Sequence, residues 1–142
     1  MSTKWEERFM SLAAFVATWS KDPDHQVGAV ITTKDNRVLS LGYNGPPRGT
    51  NDSELTNSAK VFRTLHAELN AILNARHDLE GSTIYVYPFN PCAQCAAAII
   101  QKGITKVVCR ENSRMLTTWE SSQNEAASMF EEAGVKVVLI KR

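Results

Sequence analysis

Cysteine is scarce in this chain, and its scarcity excludes one class of fold. Only three cysteines occur among 142 residues, whereas disulfide-stabilised secreted domains carry a dense and even-numbered set. The chain also lacks an apolar signal core near its start and any run approaching the roughly 18 apolar residues that span a bilayer. We therefore expect a soluble protein of the reducing cytoplasm that has no membrane partner.

Net charge is also nearly absent. The 16 lysines and arginines are almost balanced by 15 acidic residues, for a formal charge of +1, so the composition does not indicate a nucleic-acid partner. A small anionic substrate remains compatible with a few local cations. With 142 residues and 43% hydrophobic content, the chain can build one core, and we expect a single domain over 1–142.

The apolar periodicity predicts alternating helices and strands. A stripe formed by Trp5, Phe9, Leu12, Val16 and Trp19 predicts a helix over 4–20, with the stripe in the core. Two β-branched runs around a polar turn predict an antiparallel hairpin. The predicted strands are 27–32, 37–43, 83–87, 104–110 and 135–141, and the later helices are 59–74 (or 64–74 after a break), 92–102 and 118–133.

The order of these elements predicts the fold class. Strand, helix, strand, helix, strand in the second half favours right-handed parallel connections, whereas the first two strands form a hairpin. Together they predict a three-layer α/β/α domain with a mixed five-stranded sheet. Gly28 within the first strand indicates either a close backbone approach, for which we expect the metal-bearing helix, or a plain glycine at a bulge.

One stretch of the chain contains metal-ligand residues with a recognisable spacing. His66 and Glu68 are separated by one residue, and Cys92 and Cys95 follow Pro91 after a strand-like segment. Two thiolates and one imidazole suit zinc and leave a fourth tetrahedral position open for water. A helix that starts at Pro91 would place both sulfurs at its positive end, which favours thiolates. Glu68 would then carry protons to and from the water.

This arrangement of His-x-Glu followed by Pro-Cys-x-x-Cys is the pattern of zinc nucleobase deaminases. Segments spread over most of the chain resemble the deoxycytidylate (dCMP) deaminase family. The resemblance implies a cytidine deaminase-like fold, one zinc ion per chain, and hydrolysis of dCMP to dUMP with release of ammonia. The segments that carry it are Ser20-Lys21-Asp22-Pro23, Gln26-Val27-Gly28-Ala29-Val30-Ile31, Gly42-Tyr43-Asn44-Gly45-x-Pro47, His66-Ala67-Glu68-Leu69-Asn70-Ala71 and Ile99-Ile100-Gln101-x-Gly103-Ile104.

The resemblance also implies substrate contacts and an assembly. Asn44 and the backbone of Ala67 match positions that hold the pyrimidine and its sugar in similar deaminases, although Asn44 could instead be a left-handed turn residue before a glycine. A pyrimidine nucleotide is the implied small-molecule partner, and a homo-oligomer between dimer and hexamer is the implied assembly. The candidate cations for the 5′-phosphate, each of which could instead be a solvated surface charge, are Lys21, Arg48, Arg110 and Arg114.

The chain departs from part of that family after the fourth predicted strand. Some dCMP deaminases carry Lys-Tyr-His near the phosphate, where this chain has the residues 110–114, Arg-Glu-Asn-Ser-Arg. The phosphorylation state of the substrate is therefore open. No histidine or cysteine lies between Gly45 and His66, which disfavours the second zinc that some relatives carry.

Three other functions are compatible with parts of the sequence. A deaminase of free cytosine, of a nucleoside or of transfer-RNA adenosine would use the same pattern, although the weak net charge disfavours RNA. A structural zinc module would need a fourth protein ligand such as Cys109 or His25. A thiol-disulfide protein would need Cys92 and Cys95 only, and would leave Pro91 and the His-Ala-Glu segment without a role.

Overall fold

A computed structural model of the chain describes residues 2–50, 57–111 and 120–141. Most of the predicted connection over 50–58 lies outside the described residues. None of the helices in these three ranges is both long and apolar enough to cross a membrane. The elements in chain order are α1 (Lys4–Ala17), β1 (Gly28–Thr32), β2 (Val38–Tyr43), α2 (Asn57–Arg63), α3 (Ala67–Asn74), β3 (Thr83–Tyr87), α4 (Ala93–Gln101), β4 (Lys106–Arg110), α5 (Glu120–Ala133) and β5 (Lys136–Ile140).

The five strands form one mixed sheet, as the sequence predicted. Their order is β2-β1-β3-β4-β5, with β1 antiparallel to both β2 and β3, and with β3, β4 and β5 parallel. The helices between the parallel strands end before Gly103 and Gly134, which both have positive φ, as is common for a glycine that ends a helix. The sequence left open whether the next helix begins near residue 59 or after a break at 64, and the structure has both a helix before that break, α2, and one after it, α3.

Alternating strand residues face two different helical layers. Val30 and Tyr85 belong to a buried apolar cluster with α1, whereas their neighbours Ile31 and Val86 belong to a cluster with α3, α4 and α5. This two-residue alternation is what a sheet covered on both faces requires. The three-layer prediction is therefore confirmed, and among the described helices α1 covers the face opposite the predicted metal-binding helices.

The apolar stripe of α1 is buried only in its middle. Phe9 is 6% exposed and Val16 is fully buried, but Trp5 and Trp19 are 42% and 46% exposed. The prediction that the whole stripe belongs to the core is thus wrong for the two tryptophans. Trp5 lies in the first turn of α1, and Trp19 lies beyond its end, because the helix predicted over 4–20 stops at Ala17.

Gly28 and Gly42 allow helices to approach opposite faces of the sheet. A Cβ built on Gly28 would lie 2.1 Å from the carbonyl oxygen of Ala13, in α1. The expected approach of Gly28 to a metal-bearing helix is therefore wrong, although the close approach itself is confirmed. Gly42 takes that role, because its Cβ would lie 2.5 Å from the carbonyl oxygen of Ala67, in α3.

Candidate active site

His66, Cys92 and Cys95 converge in space. Nδ1 of His66 lies 3.3 Å from Sγ of Cys92 and 3.4 Å from Sγ of Cys95, and all three ligand atoms lie within 4.8 Å of one another. Tetrahedral zinc with ordinary bond lengths separates a nitrogen from a sulfur ligand by roughly 3.5 Å. The three side chains therefore fit a single zinc ion.

The group has three protein ligands in the part of the chain that the structure describes. Neither His25 nor Cys109, the two candidates for a fourth ligand, joins it. His25 instead packs edge-on against Phe89, with ring centroids 5.8 Å apart, and Cys109 is fully buried in β4. Three ligands with an open position are typical of catalytic zinc sites, whereas structural sites are closed by four.

In each of the two helices that contribute candidate ligands, the N-cap residue is itself a candidate ligand. His66 is the N-cap residue of α3 and Cys92 is the N-cap residue of α4, and neither side chain caps its own helix. Cys95 follows in the first turn of α4. The positive ends of two helix dipoles therefore face the cluster, which favours thiolates over thiols.

Two backbone hydrogen bonds hold the loop after β2 next to this cluster. Gly45 and Leu65 form an isolated antiparallel bridge, in which the Gly45 N–H donates to Leu65 O at 3.1 Å and the Leu65 N–H donates to Gly45 O at 2.8 Å. The residues next to a paired position in an antiparallel bridge oppose each other. Asn44 therefore lies opposite His66.

The contact between the two cysteines shifts the pKa values of their thiols in opposite directions. A hydrogen bond from the Cys95 thiol, with a further contribution from His66, lowers the pKa of Cys92 to about 4. The same contact raises the pKa of Cys95, because its proton is held between the sulfurs. Contact with Cys92 also raises the pKa of His66, although burial opposes that shift. A bound dication deprotonates its thiol ligands outright and would take the place of the shared proton.

Glu68 is the buried acid of the site. It lies in the first turn of α3, is 4% exposed, and contacts the Cys95 thiol. Burial raises the pKa of its carboxyl to about 7, although its own backbone N–H and the charge of His66 act in the opposite direction. A carboxyl that titrates near neutral pH suits general acid–base work. Ala67, between the two polar residues, is fully buried.

Asn44 is buried, and its amide is bonded to the preceding loop. The Val27 N–H donates to its Oδ1 at 2.9 Å, and its Nδ2 donates to His25 O at 2.8 Å. Asn36 is the one non-glycine residue with positive φ in the described ranges, so the left-handed-turn interpretation of Asn44 is wrong. The amide still has a second N–H and a second lone pair, which a ligand could use.

The basic side chains proposed to bind the 5′-phosphate differ in how exposed they are. Lys21 and Arg48 are exposed, and Arg110 is half-buried. The guanidinium of Arg110 lies over the Tyr87 ring, 5.7 Å from its centroid. Arg114 lies outside the described residues.

Two contacts at the start of α4 were not found by sequence reasoning. The Ala93 N–H donates to Oγ of Ser122 at 2.9 Å, and Nε2 of Gln123 donates to Asn90 O at 3.4 Å. Both side chains come from the first turn of α5, which the sequence indicated only as an amphipathic helix. A serine followed by a glutamine has no signature that would indicate such contacts.

Comparison with known proteins places this geometry among deaminases. The family model for the cytidine and deoxycytidylate deaminase zinc-binding region matches residues 3–111. The uncharacterized deaminase in the luxG 3′ region of Aliivibrio fischeri is 50% identical over 140 residues, which cover 96% of this chain and 94% of the relative. The deoxycytidylate deaminase of Mus musculus is 38% identical over 143 residues, which cover 93% and 77%.

A solved structure shares the fold over its whole length. The dCMP deaminase of the cyanophage S-TIM5, crystallised in complex with dCMP and dUMP, matches with a TM-score of 0.79 and 28% identity. The match covers 100% of this chain and 99% of the phage chain. The similarity therefore extends beyond the zinc-binding region to the C-terminal helix and strand.

Proposed function

The chain belongs to the cytidine and deoxycytidylate deaminase family, and we propose that it converts dCMP to dUMP and ammonia by zinc-dependent hydrolysis. The observation that carries this proposal is the convergence of His66, Cys92 and Cys95 beside the buried carboxyl of Glu68. Relatives named deoxycytidylate deaminase support dCMP as the substrate. The phage enzyme, whose structure holds dCMP and dUMP, supports it independently.

One zinc ion per chain would be held by His66, Cys92 and Cys95. Zinc, when bound, lowers the pKa of a coordinated water from 15.7 to about 7. The two thiolates offset the charge of the ion, so that it can be bound in a partly buried site without an unpaired charge. Glu68, which contacts Cys95 of this group, is the carboxyl that would exchange protons with the reactants.

Glu68 is the group that we assign to proton transfer. It accepts a proton from the attacking water as the new bond to C4 forms, and it delivers that proton to N3 of the ring. Glu68 then takes the second proton from the hydroxyl now bonded to C4 and delivers it to the exocyclic amino group, so that the C4–N bond breaks, the C4 carbonyl forms and ammonia leaves. Water and dCMP thus give dUMP and ammonia, and help of this kind is typically worth about 10²- to 10⁴-fold in rate.

The substrate contacts follow from the loop after β2. Asn44, opposite His66, would bind the pyrimidine or its sugar through its second amide N–H, and the Ala67 backbone would contact the ring. The Ser20 hydroxyl donates to Asn44 O at 2.8 Å, which ties Lys21 to the same loop. Lys21, Arg48 and Arg114 remain our candidates for the phosphate.

We propose a cytoplasmic setting, and the cysteines support it. All three are free, and Cys92 and Cys95 must stay reduced to bind zinc, which supports the reducing cytoplasm. A homo-oligomer between dimer and hexamer is implied by the family and stays a prediction.

A substrate panel tests the proposed function. Zinc-loaded protein is incubated separately with cytosine, deoxycytidine, CMP, dCMP and dCTP, and ammonia is measured from each. We expect dCMP to give the highest kcat/KM, because it combines the deoxyribose with a single phosphate. Faster reaction of deoxycytidine would contradict the phosphate contacts, and the absence of ammonia from every compound would contradict the enzyme assignment.

A further inference from the structure

The first N–H of α4 is bonded by a side chain from another helix. The first N–H groups of a helix have no partner within the helix, and a serine, threonine, aspartate or asparagine at the N-cap commonly accepts from one of them. Here the N-cap residue is Cys92, a candidate metal ligand, and an N-cap side chain reaches the second or third N–H of a helix, not the first. The Cys92 sulfur faces Nδ1 of His66. The Ala93 N–H, in the peptide that follows Cys92, is instead held by another element.

That element is the first turn of α5. Oγ of Ser122 accepts the hydrogen bond of the Ala93 N–H at 2.9 Å, which is the first N–H of α4. The neighbouring Gln123 is 7% exposed and donates to Asn90 O at 3.4 Å. Two consecutive residues of α5 thus hold both ends of the turn over 90–93, and Cys92 lies between the two held points.

We propose that Ser122 is a positioning residue for the zinc centre, acting through the Ala93 peptide to fix the direction of the Cys92 sulfur. The proposal rests on one part of the proposed function, namely that zinc binds at this cluster, and it does not depend on the substrate. Loss of outer-shell partners typically weakens metal binding about 10- to 100-fold. Because Ser122 bonds the peptide that follows the ligand and not the sulfur itself, we expect the lower end of that range.

The neighbouring serine provides a matched control. Ser121 is exposed, whereas Ser122 is half-buried, so Ser121→Ala removes the same atoms one residue away. The zinc Kd is measured by chelator competition, and the thiolate-to-metal absorption of the cobalt-substituted protein reports ligand geometry. We expect Ser122→Ala to bind zinc about 10-fold more weakly and to have an altered cobalt spectrum, whereas Ser121→Ala and the hydroxyl-retaining Ser122→Thr stay within about twofold of wild type.

Several outcomes would overturn the proposal. One is a Ser122→Ala variant with wild-type zinc Kd and cobalt spectrum. Another is a variant that lowers the Tm of the metal-free protein but leaves the zinc Kd unchanged, which would make the contact merely structural. Zinc binding is measured without substrate, so this failure can occur while dCMP turnover is normal. The opposite combination is also informative. If Ser122→Ala binds zinc more weakly but the wild-type protein does not deaminate dCMP, only the proposed function is overturned.

Discussion

Gly42 of β2 lies directly against Ala71 of α3, so that a Cβ on Gly42 would be 2.4 Å from the Ala71 backbone nitrogen. The obstructing atoms belong to the helix backbone and cannot move alone. This contact, together with a row of hydrogen bonds, fixes the helix that begins at His66 and carries Glu68. The hydrogen bonds are Ser40 Oγ to Ala71 O at 2.6 Å, Asn70 Nδ2 to Tyr43 O at 2.8 Å and Asn74 Nδ2 to Leu41 O at 3.4 Å.

Gly42→Ala should therefore destabilise the protein and displace α3. We expect the free energy of unfolding to fall by about 1–3 kcal/mol, the usual cost of overpacking, as measured by urea unfolding. Gly45→Ala is the matched control, because no atom of the described residues lies within 4 Å of a Cβ at that position. Equal stability of Gly42→Ala and Gly45→Ala would show that α3 does not need the glycine.

The glycines also show which parts of the fold the sequence could predict. Gly28 within a strand correctly indicated a close approach, but local sequence cannot tell which helix covers which face, so the partner was misassigned and Gly42 was missed. Likewise, the helical period identified the inner face of α1, but it could not show that the sheet leaves Trp5 and Trp19 half-exposed.

The metal ligands were easier to predict than their supports. Metal coordination demands particular side chains at a restricted spacing, so the zinc deaminase pattern in the sequence already pointed to His66, Cys92 and Cys95 as a cluster. Ser122 acts on a backbone N–H, which any hydroxyl or carboxylate could bind. The sequence therefore contains no pattern that would mark the contact between α5 and α4.

Glu6 and Lys106 provide a pH-dependent contribution to stability. Nζ of Lys106 donates to the Glu6 carboxylate at 2.9 Å, and Glu6 forms a capping box with Thr3. Burial alone would raise the pKa of Glu6, but the Thr3 N–H and Lys106 outweigh it, so the pKa is lowered. A lowered pKa in the folded state contributes stability above the unfolded pKa, and this stability is lost as the pH falls through the folded pKa.

Glu6→Gln should thus destabilise the protein at neutral pH only. Glutamine can keep the capping-box geometry, so the substitution chiefly removes the charge. We expect a loss of about 1 kcal/mol near pH 7, measured by denaturant unfolding, that shrinks as the pH falls below about 4. The exposed neighbour supplies a control, Glu7→Gln, for which we expect little change. A loss that is the same at pH 7 and pH 3 would exclude the ion pair as its cause.

Cys92 and Cys109 should respond differently to substitution. Cys92 belongs to the ligand cluster, whereas burial raises the pKa of the Cys109 thiol to about 12, which makes it an inert core residue. We expect Cys92→Ser to lose zinc during gel filtration and Cys109→Ala to retain one zinc per chain, as measured by elemental analysis. Comparable zinc loss from both variants would make Cys109 a ligand and would favour a closed structural site.

The most direct test of the account compares zinc-loaded wild type with Glu68→Gln. Glutamine has nearly the same shape but cannot accept the proton of the attacking water, and Glu68 is not one of the three clustered ligands. Zinc content and ammonia release from dCMP are measured on the same samples. We predict equal zinc content and a turnover reduced by at least about 10²- to 10⁴-fold. Wild-type turnover in Glu68→Gln at equal zinc content would contradict the account.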